Sequence, residues 1–209
     1  MGRMNVNPTR MEYRRLKQRL KTAVSGHKLL KDKADETVRQ FMIYVKENKK
    51  LREELETELT GALRAFLLAS AVNSRETIEE SVAMPGRSVR LKSDIQNIMS
   101  VKVPVLTIEG GESVDLYPYS FASVSAELDD SVAKLSVVLE KIIRLAEVEK
   151  TCNMLADEIE KNRRRVNALE YVMIPEIQET IKYIGMKLDE NERGNTIRLM
   201  KVKELQTSK

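Results

Sequence analysis

Turn-forming residues are scarce in this chain of 209 residues: it holds eight glycines and five prolines, about 6% together against a usual share near 12%. Six of those thirteen fall between Pro85 and Pro118. Elsewhere there is almost nothing to reverse the backbone, which excludes a compact fold of many short elements. Tryptophan is absent and aromatics are 4%, too few for a thick core. Cys152 is the single cysteine, so no internal disulfide forms. His27 is the single histidine, which leaves a zinc site or a histidine-based triad without its parts. No run approaches the roughly 18 uncharged residues of a membrane span. No apolar segment follows a basic start, so a cytosolic location is expected.

What is present is charge and periodicity. Charged residues make up 33% and hydrophobic ones 42%, with 36 basic against 32 acidic side chains. That hydrophobic content is too high and too regularly placed for a disordered chain. From about Thr9 to Ala71 the seam reads Tyr13, Leu16, Leu20, Ala23, His27, Leu30, Ala34, Thr37, Phe41, Tyr44, Asn48, Leu51 and Leu55. Steps alternate between three and four, a heptad pattern. It relaxes with a step of four to Leu59 and continues through Ala62, Phe66 and Ala69. Asn7-Pro8-Thr9 supplies the N-cap. A second helix is expected from Ser123 or Ser125 to about Val202, with a seam through Leu128, Val132, Leu135, Leu139 and Ile142. The phase shifts at Leu145 and Val148. The stripe then resumes through Cys152, Leu155, Ile159, Asn162, Val166, Leu169 and Met173. Pro175 should bend this helix without ending it, because Ile177, Ile181, Ile184 and Leu188 continue the stripe. At 1.5 Å per residue the two helices would be ~95 and ~120 Å long.

Between them lies different material. Met84-Pro85-Gly86 ends a short helical stretch, and a brief helix is expected over Val89–Ile98. The β-branched run Ser100–Ile108 predicts a strand. Glu109-Gly110-Gly111-Glu112 reads as a turn, and Ser113–Tyr117 as the return strand. The predicted fold is therefore all-α: a long antiparallel two-helix coiled coil with a small head containing a short helix and a β-hairpin. Its parts are an N-terminal helix over 1–75, a head over 76–121 and a C-terminal helix over 122–209.

Charge is unevenly spread. Residues 1–33 carry a net +8 and residues 193–209 a net +4, against +4 for the whole chain. In an antiparallel hairpin both basic stretches meet at one end, while the remainder is acidic. Catalytic chemistry finds no foothold: GxxxxGK[ST], GxGxxG, HExxH and CxxC are all missing. Acidic pairs such as Glu53-Glu54, Glu79-Glu80 and Asp129-Asp130 read as solvated helix faces. His27 and Cys152 occupy seam positions and read as packing residues. Asn48 and Asn162 also fall on the seam. If they face each other they pin the register and set Phe41 beside Leu169; the alternative is two solvated asparagines at a loosened seam. Arg163-Arg164-Arg165 spans much of a helix circumference, so at least one guanidinium points away from the partner helix, suited to carboxylates on another protein. The basic end could grip nucleic acid or sit in an acidic protein socket. A net charge of only +4 and the lack of interleaved aromatics disfavour the first.

Four stretches resemble the D subunits of the rotary V-type/A-type ATPases. They are Asn5-Val6-Asn7-Pro8-Thr9-Arg10-Met11-Glu12 with Leu16-Lys17, Gly26–Lys33, Ile98–Pro104, and Arg163-Arg164-Arg165-Val166-Asn167-Ala168-Leu169-Glu170-Tyr171 running on to Ile174-Pro175. The resemblance covers essentially the whole chain, and its short C-terminus is similar to bacterial or archaeal forms. It implies a non-catalytic central rotor shaft, without a cofactor or metal, whose terminal end enters a ring of catalytic A and non-catalytic B subunits. The F subunit would lie alongside at the mid-shaft and head. A funnel-shaped subunit would receive the lower end above the membrane ring, so the chain would be cytoplasmic and peripheral to the membrane. Charge and resemblance together assign ring contacts to Arg10, Arg14, Lys17, Lys21, Arg198, Lys201 and Lys203, with Arg163, Arg164 and Arg165 as a second zone. Two other classes remain open from the residues alone: a prefoldin-like coiled-coil chaperone and a nucleic-acid-binding helical hairpin.

Overall fold

The computed structural model describes residues 2, 4–83, 89–109, 117, 119–120 and 124–207. Helix α1 spans Arg10–Val72, α2 Arg75–Ala83 and α3 Ala126–Ala168, and α4 spans Ile174–Thr207. A π-helical turn, Leu169–Met173, joins α3 to α4. Strands β1 (Arg90–Ile98) and β2 (Val101–Glu109) form one antiparallel pair.

The cap of α1 is as the sequence predicts: Thr9 Oγ1 accepts the Glu12 backbone N–H at 3.2 Å, satisfying one of the open donors of the first turn. Every predicted seam position of α1, from Tyr13 to Ala69, is buried or half-buried. The second stripe holds less evenly. Leu128, Val148, Cys152, Leu155, Ile177 and Ile184 are buried, but Leu135, Leu139 and Ile142 are exposed. Ser131 and Val138 are buried instead, one helical step away from the predicted phase. The facing residues of α1 explain the shift. Ala62, Ala65 and Ala69 are buried, and an alanine seam lets the helices approach closely, so that a serine and a valine fit between them where leucines would not.

The chain forms two compact units. In the unit made of residues 1–36 and 159–209, Leu16 packs with Ile177 and Ile184, flanked by Tyr13, Leu20, Ile181 and Leu188. The Met4 N–H donates to Thr180 Oγ1 at 3.2 Å, which lays the segment before α1 on α4. Arg10 pairs with Glu192, Tyr13 lies beside Gly185, and His27 meets Glu170. Each pair's two numbers total about 200, the mark of antiparallel helices in fixed register.

The unit made of residues 37–158 shows the same kind of register in Arg52–Glu149, Lys141–Glu58 and the Asn73–Ser125 hydrogen bonds. Its hairpin is not the predicted one. Residues 90–98, expected as a helix, form β1 and pair with β2 from Arg90↔Glu109 to Ile98↔Val101. The two-residue turn between them is Met99-Ser100, both at positive φ (53° and 71°), as a type I′ hairpin requires. Pairing along the whole of β2 outweighs the helical pattern read into 89–98. The predicted turn and return strand at 109–117 fall largely outside the described residues. Val101 and Val103 are buried against Leu155, with Phe41, Tyr44 and Met154 around them. Phe41 thus packs in the same cluster as Leu155. Glu147 fastens the sheet: its carboxylate accepts the Leu106 N–H at 3.1 Å and an Arg144 N–H, and Arg144 also reaches Glu47 at 3.0 Å.

Candidate functional site

The basic residues predicted to bind a partner lie on α1, α3 and α4, and in the unit that holds both chain ends all ten are exposed. Helix register explains why they gather. Because α1 begins at Arg10 opposite Glu192, the rest of α4, from Arg193 to Thr207, runs past the start of its partner. Every residue from Asn195 to Gln206 is exposed, including Ile197, Leu199, Met200, Val202 and Leu205. A helix that is apolar on several sides and uncovered calls for a partner. Arg198, Lys201 and Lys203 are interspersed along it.

Individual basic side chains differ in how free they are. Arg10 is tied to Glu192 at 3.5 Å with both side chains mostly solvated, a pairing weak enough to exchange. The Lys17 ammonium sits 4.5 Å from the Tyr13 ring centroid, held by a cation–π contact. Arg14, Lys21, Arg198 and Lys201 have no ion-pair partner among the described residues. Within the arginine triplet, Arg164 bonds Glu160 one turn earlier. That bond holds the Glu160 carboxyl below its ordinary range. Arg163 and Arg165 have no such partner among the described residues, so their five-donor guanidinium forks remain available for carboxylates elsewhere.

Immediately after the triplet comes the π-helical turn. The Ile174 N–H donates to the Leu169 carbonyl, five residues back. Pro175 follows directly, lacking an N–H and crowding the carbonyl four residues before it. A widened turn at this point accommodates both defects without breaking the helix. The sequence predicts the disturbance at Pro175; the structure places the irregularity at Leu169–Met173, one residue short of it. The turn exposes Tyr171 and Val172, and its Glu170 carboxylate lies 3.2 Å from His27 Nε2. Sequence reasoning treats His27 as a packing residue; the signal for its partner is the shared register, which sets residue 27 level with residue 170.

Of the two seam asparagines, Asn162 belongs to the unit that holds both chain ends and Asn48 to the other. Asn162 is buried, and among the described residues neither its Nδ2 nor its Oδ1 has a hydrogen-bond partner. Asn48 is half-buried. It lies between Tyr44, packed near Met154 and Leu155, and Arg52, paired with Glu149. It is therefore level with the turn near Cys152. Among the described residues no group of His, Cys, Asp and Glu is arranged to hold a metal ion, and no helix is long and apolar enough to cross a membrane.

Each unit is thus built on paired antiparallel helices, and the one that holds both chain ends carries a basic, uncovered helix end. The chain belongs to the family of ATP synthase D subunits, whose model matches residues 12–204. It is 55% identical over 205 residues to the V-type ATP synthase D subunit of Thermoanaerobacter sp. (strain X514), covering 98% of each chain. To the protein of the same name from Acetivibrio thermocellus it is 57% identical over 207 residues, 98% of this chain and 93% of that one. To that of Clostridium botulinum (strain ATCC 19397 / Type A) it is 54% identical, over 99% and 97% respectively.

Proposed function

We propose that this chain is the non-catalytic central rotor subunit of a V-type ATPase, carrying torque between the ring of A and B subunits and the ion-translocating rotor at the membrane. The observation that carries this reading is helical continuity: α1 runs unbroken for 63 residues, and α3, the π-turn and α4 follow one another without a gap from Ala126 to Thr207. A torque-bearing element needs such continuity, because a loop in its length would absorb rotation. Residues 1–75 and 122–209 serve as the shaft and 76–121 as the head. Arg10, Arg14, Lys17, Lys21, Arg198, Lys201 and Lys203 meet the ring, and Arg163–Arg165 form a second contact zone. These contacts are solvated and individually weak, as a rotor requires if it is to leave each one. The F subunit lies beside the mid-shaft and head, and the lower end docks on the funnel-shaped subunit above the membrane ring. The chain itself stays at the membrane's cytoplasmic face without entering it.

Reconstitution tests the reading. The A and B subunits assembled with this chain should give a complex in which a cross-link between α4 and the ring stops sustained ATP hydrolysis, and in which cleaving the link restores it. Hydrolysis indifferent to the link would count against a rotor.

A further inference from the structure

Helix α4 outruns its partner. At its first residue, Arg10, α1 meets Glu192 at 3.5 Å, with both side chains mostly solvated. The segment before α1 turns back along α4, with Met4 bonded to Thr180 and Gly2 beside Glu176. It therefore leaves the rest of α4 uncovered, and every residue from Asn195 to Gln206 is exposed.

The helix is weakest where that cover stops. Gly194-Asn195-Thr196 stand just past Glu192, all poorer helix formers than alanine or leucine, glycine most of all. Packing does not ask for the glycine. Gly185 lies against the Tyr13 ring, whereas a Cβ at Gly194 would meet nothing within 4 Å. The Thr196 hydroxyl donates to the Glu192 carbonyl at 2.9 Å, a back-bond that competes with the helical ladder and loosens it. The stretch from Asn195 to Thr207 also has the length, roughly 12–15 residues, at which a helix without packing is marginal in water.

Beyond this point α4 is apolar on every side. Ile197, Leu199, Met200, Val202 and Leu205 are 52 to 70% exposed. At about 100° per residue their directions leave no gap around the helix wider than about 100°. A helix lying on a membrane surface needs its apolar side chains on one face, and a second copy of the chain would cover one side. An enclosing partner buries all five.

We infer that α4 beyond Gly194 folds on binding. Gly194-Asn195-Thr196 is a weak joint at which the uncovered end opens and closes in the free chain, and the end becomes a firm helix when the ring of A and B subunits closes around it. The inference rests on the rotor reading and adds an assembly step to it. The joint lies past the two-helix part, so it does not interrupt the path of torque. An opened end reaches further than a helix, about 3.3 Å per residue against 1.5 Å, and its Arg198, Lys201 and Lys203 steer it toward an acidic bore.

Hydrogen exchange of the whole chain, free and assembled with A and B, tests this. In the free chain the amides of residues 197–206 should exchange at least about tenfold faster than those of 177–188, with a step at the joint, and should slow at least about tenfold on assembly. Gly194→Ala with Thr196→Ala, which meets no steric obstacle, should slow exchange beyond the joint several-fold in the free chain and tighten assembly by a similar factor. Equal protection on both sides of the joint in the free chain would overturn the inference. So would a smooth decline toward Thr207 that the variant leaves unmoved, which is ordinary fraying, or exchange that stays fast in the assembled complex. Failure of A and B to bind the wild-type chain would instead overturn the rotor reading and the ring as partner, while the step in the free chain would still decide the joint.

Discussion

His27 Nε2 stands 3.2 Å from Glu170 Oε2, and this contact ties α1 to the π-helical turn that precedes Pro175. It also joins two of the sequence's recognisable stretches, Gly26–Lys33 and Arg163–Tyr171. The pair is partly solvated, so its contribution is modest. A double-mutant cycle with His27→Ala and Glu170→Ala should give a coupling of about 0.5–1 kcal/mol. Thermal unfolding measures it, and a zero coupling would mean that the π-turn is held by packing alone.

Asn162 should be costly to the fold. Among the described residues its buried amide meets neither a donor nor an acceptor, and a buried amide left unmatched costs about 1–3 kcal/mol. Asn162→Leu is therefore expected to raise the midpoint of thermal unfolding. A lower midpoint would show that the amide is satisfied in solution and that it helps to specify the seam.

The turn of the hairpin makes a similar case. Met99 and Ser100 both occupy the left-handed region, where a side chain is strained by about 1 kcal/mol or more. Replacing them with Asn-Gly, the pair suited to a type I′ turn, should slow amide exchange across β1 and β2 several-fold. Faster exchange would contradict the turn geometry.

That turn also shows where the sequence stops being legible. Helices announce themselves locally: the heptads from Tyr13 to Leu55 need no knowledge of the rest of the chain, and the Thr9 cap is readable from three residues. The hairpin does not, because Met-Ser carries none of the usual turn chemistry and β1 is defined by pairing with β2 rather than by its own composition. The α3 seam fails for a related reason. Leu135, Leu139 and Ile142 form a correct apolar stripe, but which of two stripes faces inward is decided by the alanines of α1. In the basic end, residue types and exposure were readable. The pairing of Arg10 with Glu192 and of His27 with Glu170 depends on a register fixed only by packing.

Cys152 provides a pH-dependent check. Burial, then the nearby Glu149 and Glu47 carboxylates, push its thiol above the ordinary value. A group whose folded value is raised contributes stability below its unfolded value, here 9.0, and loses that contribution as pH rises past it. Stability should therefore fall above about pH 9 more in the wild type than in Cys152→Ala. Alkylation at pH 8 should be slow until the chain is unfolded. Rapid labelling of the folded protein would contradict the burial.

The arginine triplet should matter to assembly and little to the isolated fold. Replacing Arg163, Arg164 and Arg165 with glutamine removes one local pair, Arg164–Glu160, and two guanidinium groups with no ion-pair partner among the described residues. The isolated chain should keep its helicity, while coupling of hydrolysis to rotation in the complex falls by about tenfold. Unchanged coupling would remove the triplet from the contact surface.

Direct observation of rotation bears most closely on the central claim. With Cys152→Ser and a single cysteine placed at the exposed Ile95 of the hairpin, a bead attached to this chain should turn stepwise and in one direction. The A and B subunits, fixed to a surface, would hydrolyse ATP as it does so. A bead that stays still while hydrolysis proceeds would contradict the assignment of this chain as the rotor.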